Sequence, residues 1–192
     1  MSNSNISDIV IFSNFKFEYS IWLTIPIAII GQFAVYAGEL TDGLDGHLMG
    51  IYQIVLTTLG FILLIQGNYT FLPLIAISLG VVSTDLYFNI PPARFWNGGP
   101  GAMPIAFLLF IVSLLTNNLI PYFIMTSVMW ITMLSSMIQI LSFKLFNRRV
   151  FKIAPIHHHL QAIGWPKEKI TMRFWLFTFI LSVISILVST LI

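Results

Sequence analysis

Cysteine is absent from the 192 residues and charge is nearly so, with nine Lys plus Arg and seven Asp plus Glu making up 8% of the chain. Without a thiol there is no disulfide framework, no thiolate zinc site and no cysteine nucleophile. Soluble chains are about a quarter charged. Charge this scarce, beside 57% hydrophobic residues and a mean hydropathy of +0.91, excludes a soluble globular domain. Residues 1–18 also lack a basic region followed by an apolar core and a small-residue cleavage site, so they are not a secretory signal. They are expected to form an N-terminal tail or interfacial segment, since Ile6, Ile9, Val10, Phe12 and Phe15 could make a short interfacial helix. No internal repeat and no soluble linker divides the rest, which leaves residues 19–192 as one membrane domain.

What is present is apolar sequence in runs. A span needs roughly 20 mostly apolar residues at about 1.5 Å each, and six runs approach that length: Tyr19–Gly38, Leu48–Ile65, Phe71–Phe88, Ala102–Leu115, Leu119–Phe143 and Phe174–Ile192. Turn compositions at Gln66-Gly67-Asn68, at Asn97 to Gly101 and at Asn117-Asn118 separate them. The expected fold is an all-α, polytopic membrane helix bundle of six spans. Threading them puts Arg94, Lys144, Arg148, Arg149, Lys152, Lys167, Lys169 and Arg173 on one side, with only Lys16 on the other. By the positive-inside rule the basic side faces the cytoplasm. The same side receives Asp42, Asp45, Asn89 and His157 to His159. Within the spans polar residues are few, mainly Gln32, Gln53 and Ser or Thr, which fits conduction poorly.

Three stretches could carry chemistry. Leu40-Thr41-Asp42-Gly43-Leu44-Asp45-Gly46 sets two carboxylates three residues apart at the end of a span. On a helix that spacing is one face, able to hold a hard divalent cation such as Mg²⁺; a solvated acidic loop is the alternative. His157-His158-His159 lies in a loop with Arg148, Arg149 and Lys152. Tandem histidines on a helix splay by about 100° each, so phosphate binding suits them better than a zinc triad, with a basic patch for membrane lipids as the alternative. Tyr87 to Ala102 combines aromatic faces, the Asn89 amide and a glycine-rich backbone. It could stack a nucleobase and approach a phosphate, or simply form an interfacial aromatic belt and a turn. Gln139 could pair with a neighbouring helix.

Leu-Thr-Asp-Gly-Leu-Asp-Gly at 40–46, Phe88-Asn89 with Pro92-Ala93, and Ala154-Pro155-Ile156-His157-His158-His159 followed by Gly164-Trp165-Pro166 and Arg173-Phe174-Trp175 together resemble the phospho-N-acetylmuramoyl-pentapeptide transferases. These are the integral-membrane translocase I enzymes of peptidoglycan synthesis, within the polyprenyl-phosphate N-acetylhexosamine-1-phosphate transferase (glycosyltransferase 4) family. The triple-histidine block is the most specific part, and Ser142-Phe143-Lys144-Leu145 adds to it. The resemblance implies transfer of phospho-MurNAc-pentapeptide from UDP-MurNAc-pentapeptide to undecaprenyl phosphate, giving lipid I and UMP with Mg²⁺, at the cytoplasmic face of the bacterial cytoplasmic membrane. It implies catalytic roles for Asp42, Asp45, His157, His158 and His159, with the two aspartates beside the metal. Substrate contacts would fall to Asn89, Trp96 (aligned with a phenylalanine that stacks on uracil), Gln139, Lys144, Arg148 and Arg149. No nucleic-acid partner is expected.

The chain also departs from the family. The resemblance covers roughly the last six of the family's ten or so spans, so the paired-aspartate motif and nearby lysine of the N-terminal part have no counterpart. Gly99 stands where the family has an aspartate, and Glu39 where it has an asparagine before Leu-Thr-Asp. Asp85, fourteen residues before Gly99, does not align with the absent acid. These departures imply a homodimer or partner chain that supplies groups. The alternatives are a catalytically inactive derivative that binds lipid phosphate or nucleotide or acts as a scaffold, and a gene fragment.

Overall fold

The computed structural model describes residues 8–12, 15–18 and 21–191, with side chains from Thr24 onward. Strands β1 (Asp8–Phe12) and β2 (Phe15–Glu18) pair antiparallel, and helices make up the rest of the regular structure. These are α1 (Ile21–Thr41), α2 (His47–Ile65), α3 (Leu72–Asn89), α4 (Gly98–Leu115), α5 (Leu119–Met125), α6 (Ser127–Phe146), α7 (Ile156–Ala162) and α8 (Lys167–Leu191). Six of them, α1 to α4, α6 and α8, are long and apolar enough to cross a membrane.

The differences from the apolar runs have local causes. α4 starts four residues before Ala102, because Gly98 takes a left-handed φ of 57° and Pro100 then sits in the first turn, where its missing N–H is no loss. The fifth run breaks at Thr126, whose hydroxyl donates back to the Tyr122 carbonyl at 2.6 Å. α8 starts at Lys167 instead of Phe174, since the charged Lys167, Glu168 and Lys169 are good helix formers at an interface.

α2 lies at the centre, packed against α3 on one side and α8 on the other, while α1 packs against α4 and α6. It is apolar around its whole circumference, with Leu48, Met49, Ile51, Tyr52, Val55, Leu56 and Leu59 all buried. In hydrocarbon the apolar effect does not drive helices together, so close approach over small residues does. Gly50 lies directly under the Trp175 indole of α8, and Gly38 faces Ala106 and the Tyr52 hydroxyl. That hydroxyl donates to the Ala102 carbonyl at 2.6 Å, tying α2 to α4.

The turns after α1, α3 and α6 gather at one end of the bundle. At the other, Gln66 and Asn118 exchange two amide hydrogen bonds of 2.9 Å, joining the connections after α2 and α4. With no native cysteine, labelling gives a clean check of this threading. An impermeant maleimide is expected to reach Lys167→Cys from one side of the membrane and Tyr69→Cys only from the other. Modification of both from the same side would refute it.

Candidate functional site

The site starts where α1 stops. Thr41 turns its hydroxyl back to the Ala37 carbonyl at 2.6 Å, and the Gly43 N–H donates to the Thr41 carbonyl at 2.9 Å. Gly46, at a left-handed φ of 68°, sends the chain into α2. Asp42 and Asp45 therefore sit in a tight turn between two helices rather than on one helical face. The spacing argument for a shared face fails, because the glycines break the helix. Each carboxylate is held by a different backbone N–H instead: Asp42 accepts from Gly98 at the start of α4, and Asp45 from Ala93 at 3.5 Å.

Asn89 brackets the two turns. Nearly fully buried at the end of α3, it accepts from the Gly46 N–H and donates to the Phe95 carbonyl, both at 2.8 Å. The 90–97 segment is thereby fixed against the 42–46 turn. Phe95 and Trp96 remain exposed at its surface, so the Trp96 indole is free to stack on a ligand. Asn97, with its nitrogen turned toward Asp85, donates to both carboxylate oxygens at 2.6 and 2.8 Å. Gly99 follows on α4, and a side chain there would begin 3.6 Å from a Glu39 carboxylate oxygen. Positions 39 and 99 thus face each other.

The histidine block forms α7, docked on α6 by the Ile156 N–H, which donates to the Ser135 hydroxyl at 2.9 Å. Its three rings have three different surroundings. His159 Nδ1 accepts from the Lys152 N–H at 3.2 Å, His158 Nδ1 bonds the Gln161 side chain at 2.6 Å, and His157 turns inward to complete burial. The His157 ring occupies the space a Gly43 side chain would need, so that glycine is required by close approach.

His47, which the sequence reading overlooked, lies behind His157 with ring centroids 5.4 Å apart and is closed in by Phe174 at 4.8 Å. Neither ring of this pair has a hydrogen-bond partner at either nitrogen among the described residues. The available signal was the position itself: a histidine directly after Asp-Gly-Leu-Asp-Gly, opening an otherwise apolar span.

Other expected site residues lie further out. Gln139 does not pair with a neighbouring helix; it accepts from the Val150 and Phe151 N–H groups at 3.1 and 2.9 Å and donates to the Phe151 carbonyl at 3.0 Å. It braces the loop after α6, because three backbone groups of that loop fall within its reach. Lys144, Arg148 and Arg149 are exposed along the end of α6 and this loop. Lys169 and Arg173 stack over the Trp165 ring at 4.9 and 4.5 Å.

The electrostatics of the turn are opposite for its acid and its imidazole. Burial pushes the Asp42 carboxyl up from 3.8 to about 6, with the Gly98 N–H pulling it down and the Asp85 charge pushing it up. Burial holds His157 down, from 6.5 to about 3, and the neighbouring His158 adds to this. Ionising Asp42 thus costs folded-state stability, a penalty absent below pH 3.8 and complete above about 6. His157 costs stability as pH falls through 6.5, where the unfolded chain gains a proton that the folded chain refuses. The Asp42→Asn chain is expected to gain about 1 kcal/mol above pH 6 in metal-free detergent, a figure reduced for the partial exposure of the group. Between pH 6 and 4 it should lose stability more steeply than the parent, since the Asp42 limb that offsets the protonation of His157 is gone. Unfolding titrations across this range that coincide for the two chains would contradict these assignments.

Among the described residues no group of three or more His, Asp or Glu side chains is arranged to hold a metal ion. Asp42 and Asp45 are each hard oxygen donors of the type Mg²⁺ takes, one or two protein carboxylates with water and substrate phosphate completing its shell. The turns, the amide bracket and the imidazole helix meet at the basic end of a bundle whose six long apolar helices mark it as a membrane protein.

The family comparison is consistent with that class. The sequence model of Glycosyl transferase family 4 matches residues 1–117, and the chain belongs to this family. It is 37% identical over 191 residues to the phospho-N-acetylmuramoyl-pentapeptide-transferase of Clostridioides difficile (strain 630), covering 97% of this chain and 58% of that one. For the enzyme of the same name from Acetivibrio thermocellus the values are 32% over 189 residues, 96% and 57%. For that of Campylobacter lari they are 32% over 186 residues, 89% and 51%. The chain spans just over half the length of these relatives.

Proposed function

We propose that the chain is a phosphotransferase of the bacterial cytoplasmic membrane, moving phospho-MurNAc-pentapeptide from UDP-MurNAc-pentapeptide to undecaprenyl phosphate. The observation that carries this reading is the convergence of the 42–46 turn, the Asn89-bracketed segment and the histidine helix at one end, in a chain whose relatives bear that activity in their names. The basic residues at the same end support placing it at the cytoplasmic face. In the reaction an oxygen of the lipid phosphate attacks the sugar-bearing phosphorus of the nucleotide diphosphate. The bond to the UMP oxygen breaks, and the products are lipid I and UMP.

Asp42 and Asp45 are the residues that would hold Mg²⁺. When bound, Mg²⁺ neutralises the diphosphate and stabilises charge on the departing phosphate. Burial raises the Asp42 carboxyl to about 6 before any metal binds, so at neutral pH it is largely ionised and able to serve as a ligand. His158 and His159, with Arg148 and Arg149 of the loop after α6, would bind phosphate oxygens, and Trp96 would offer its exposed face to the uracil. Glu39 brings a carboxylate to the place where an acid at position 99 would start, which supports retention of function despite Gly99.

The test is UMP release by the purified chain in lipid with Mg²⁺ and both substrates, alone and with a second polypeptide supplying membrane helices. Turnover in either setting supports the reading. Retained nucleotide or lipid-phosphate binding with no turnover in either would replace it with a binding role.

A further inference from the structure

α3 packs on the bundle mainly through α2, and much of its remaining surface faces outward. On that side Ile77, Gly80, Val81, Thr84 and Phe88 line an open groove of about 660 Å³, with Asp85 at its rim. Nothing lies within 4 Å of the place where a Gly80 side chain would start. Ala76, Gly80 and Thr84 recur at every fourth residue and are all exposed, so they form one flat strip over which a second helix backbone can approach closely.

The charge at the rim distinguishes this strip from an ordinary lipid-facing surface. A carboxylate within a span is costly against hydrocarbon and is normally paired. The partner of Asp85 is the Asn97 amide, which brings no charge, and Asp42 nearby adds a second negative group. A lipid with a net negative headgroup would fit the trough but be repelled at the rim. A second copy of α3 laid in the groove would set Asp85 against Asp85. A helix with a basic residue satisfies both trough and rim.

We propose that this groove seats a transmembrane helix of a second, different polypeptide carrying a Lys or Arg at the depth of Asp85. The experiment puts the chain, with a donor dye at Tyr69→Cys, into phosphatidylcholine vesicles together with an acceptor-labelled Leu-Ala helix bearing one Lys at that depth. Matched peptides carry Leu or Glu there. The Lys helix should bind about five- to thirty-fold tighter than the Leu helix, the range for interhelical polar contacts in membranes.

Asp85→Asn should erase that advantage, and Gly80→Leu, a change into open space, should weaken all three peptides. Equal binding of the Lys and Leu helices, or an advantage that survives Asp85→Asn, overturns the proposal. So does energy transfer between copies of the chain that Gly80→Leu abolishes, which would make a second copy the occupant. Neither nucleotide nor lipid phosphate enters the measurement, so its outcome and that of the transferase test are independent.

Discussion

Asp42→Asn is expected to lower UMP release by about a hundred- to a thousandfold, the usual cost of removing one group that stabilises transition-state charge. The substitution keeps the shape and retains an oxygen for the Gly98 N–H, so the turn should survive. What goes is the negative charge that would help to hold the metal. A loss of turnover larger than the loss of affinity for UDP-MurNAc-pentapeptide is the expected pattern. A fall of less than tenfold would remove Asp42 from the reacting centre and shift attention to Asp45, which accepts from the Ala93 N–H at 3.5 Å.

The largest structural effect should come from one methyl group. In Gly50→Ala the new carbon would lie inside contact distance of the Trp175 indole. The ring has little room to withdraw, because its Nε1 donates to the His47 carbonyl at 3.1 Å and α8 packs against α2 along much of its length. Overpacking of this kind costs about 1–3 kcal/mol or more. Part of the damage should reach the site, since the same hydrogen bond holds the first residue of α2. Gly80→Ala is the control: it meets nothing, and alanine favours the helix by up to about 1 kcal/mol. Unfolding in mixed micelles should place Gly50→Ala well below the parent and Gly80→Ala at or above it. Equal midpoints for Gly50→Ala and the parent would mean that α8 can move away from α2.

The spans were legible because hydrocarbon admits few charges, and runs such as Leu48–Ile65 announce themselves by composition. The start of α4 was not. Gly-Gly-Pro-Gly has the composition of a turn, and only the left-handed Gly98 with Pro100 in the first turn lets it open a helix. Around the site, residue type identified the carboxylates, the asparagine and the histidines, but not what each one touches. Asp42 and Asp45 looked like a helical face because periodicity cannot see a turn closed by glycine. Gln139 looked like a contact between helices because its partners are backbone groups, which leave no mark in side-chain sequence. His47 went unnoticed because its neighbours His157 and Phe174 are more than a hundred residues away in the chain.

The closeness of Glu39 to position 99 also bears on substitutions at either. A carboxylate gained at 99 with Glu39 retained would crowd two negative charges into one pocket, and loss of Glu39 alone would leave that pocket without an acid. The effects of changing the two positions together are therefore expected not to add.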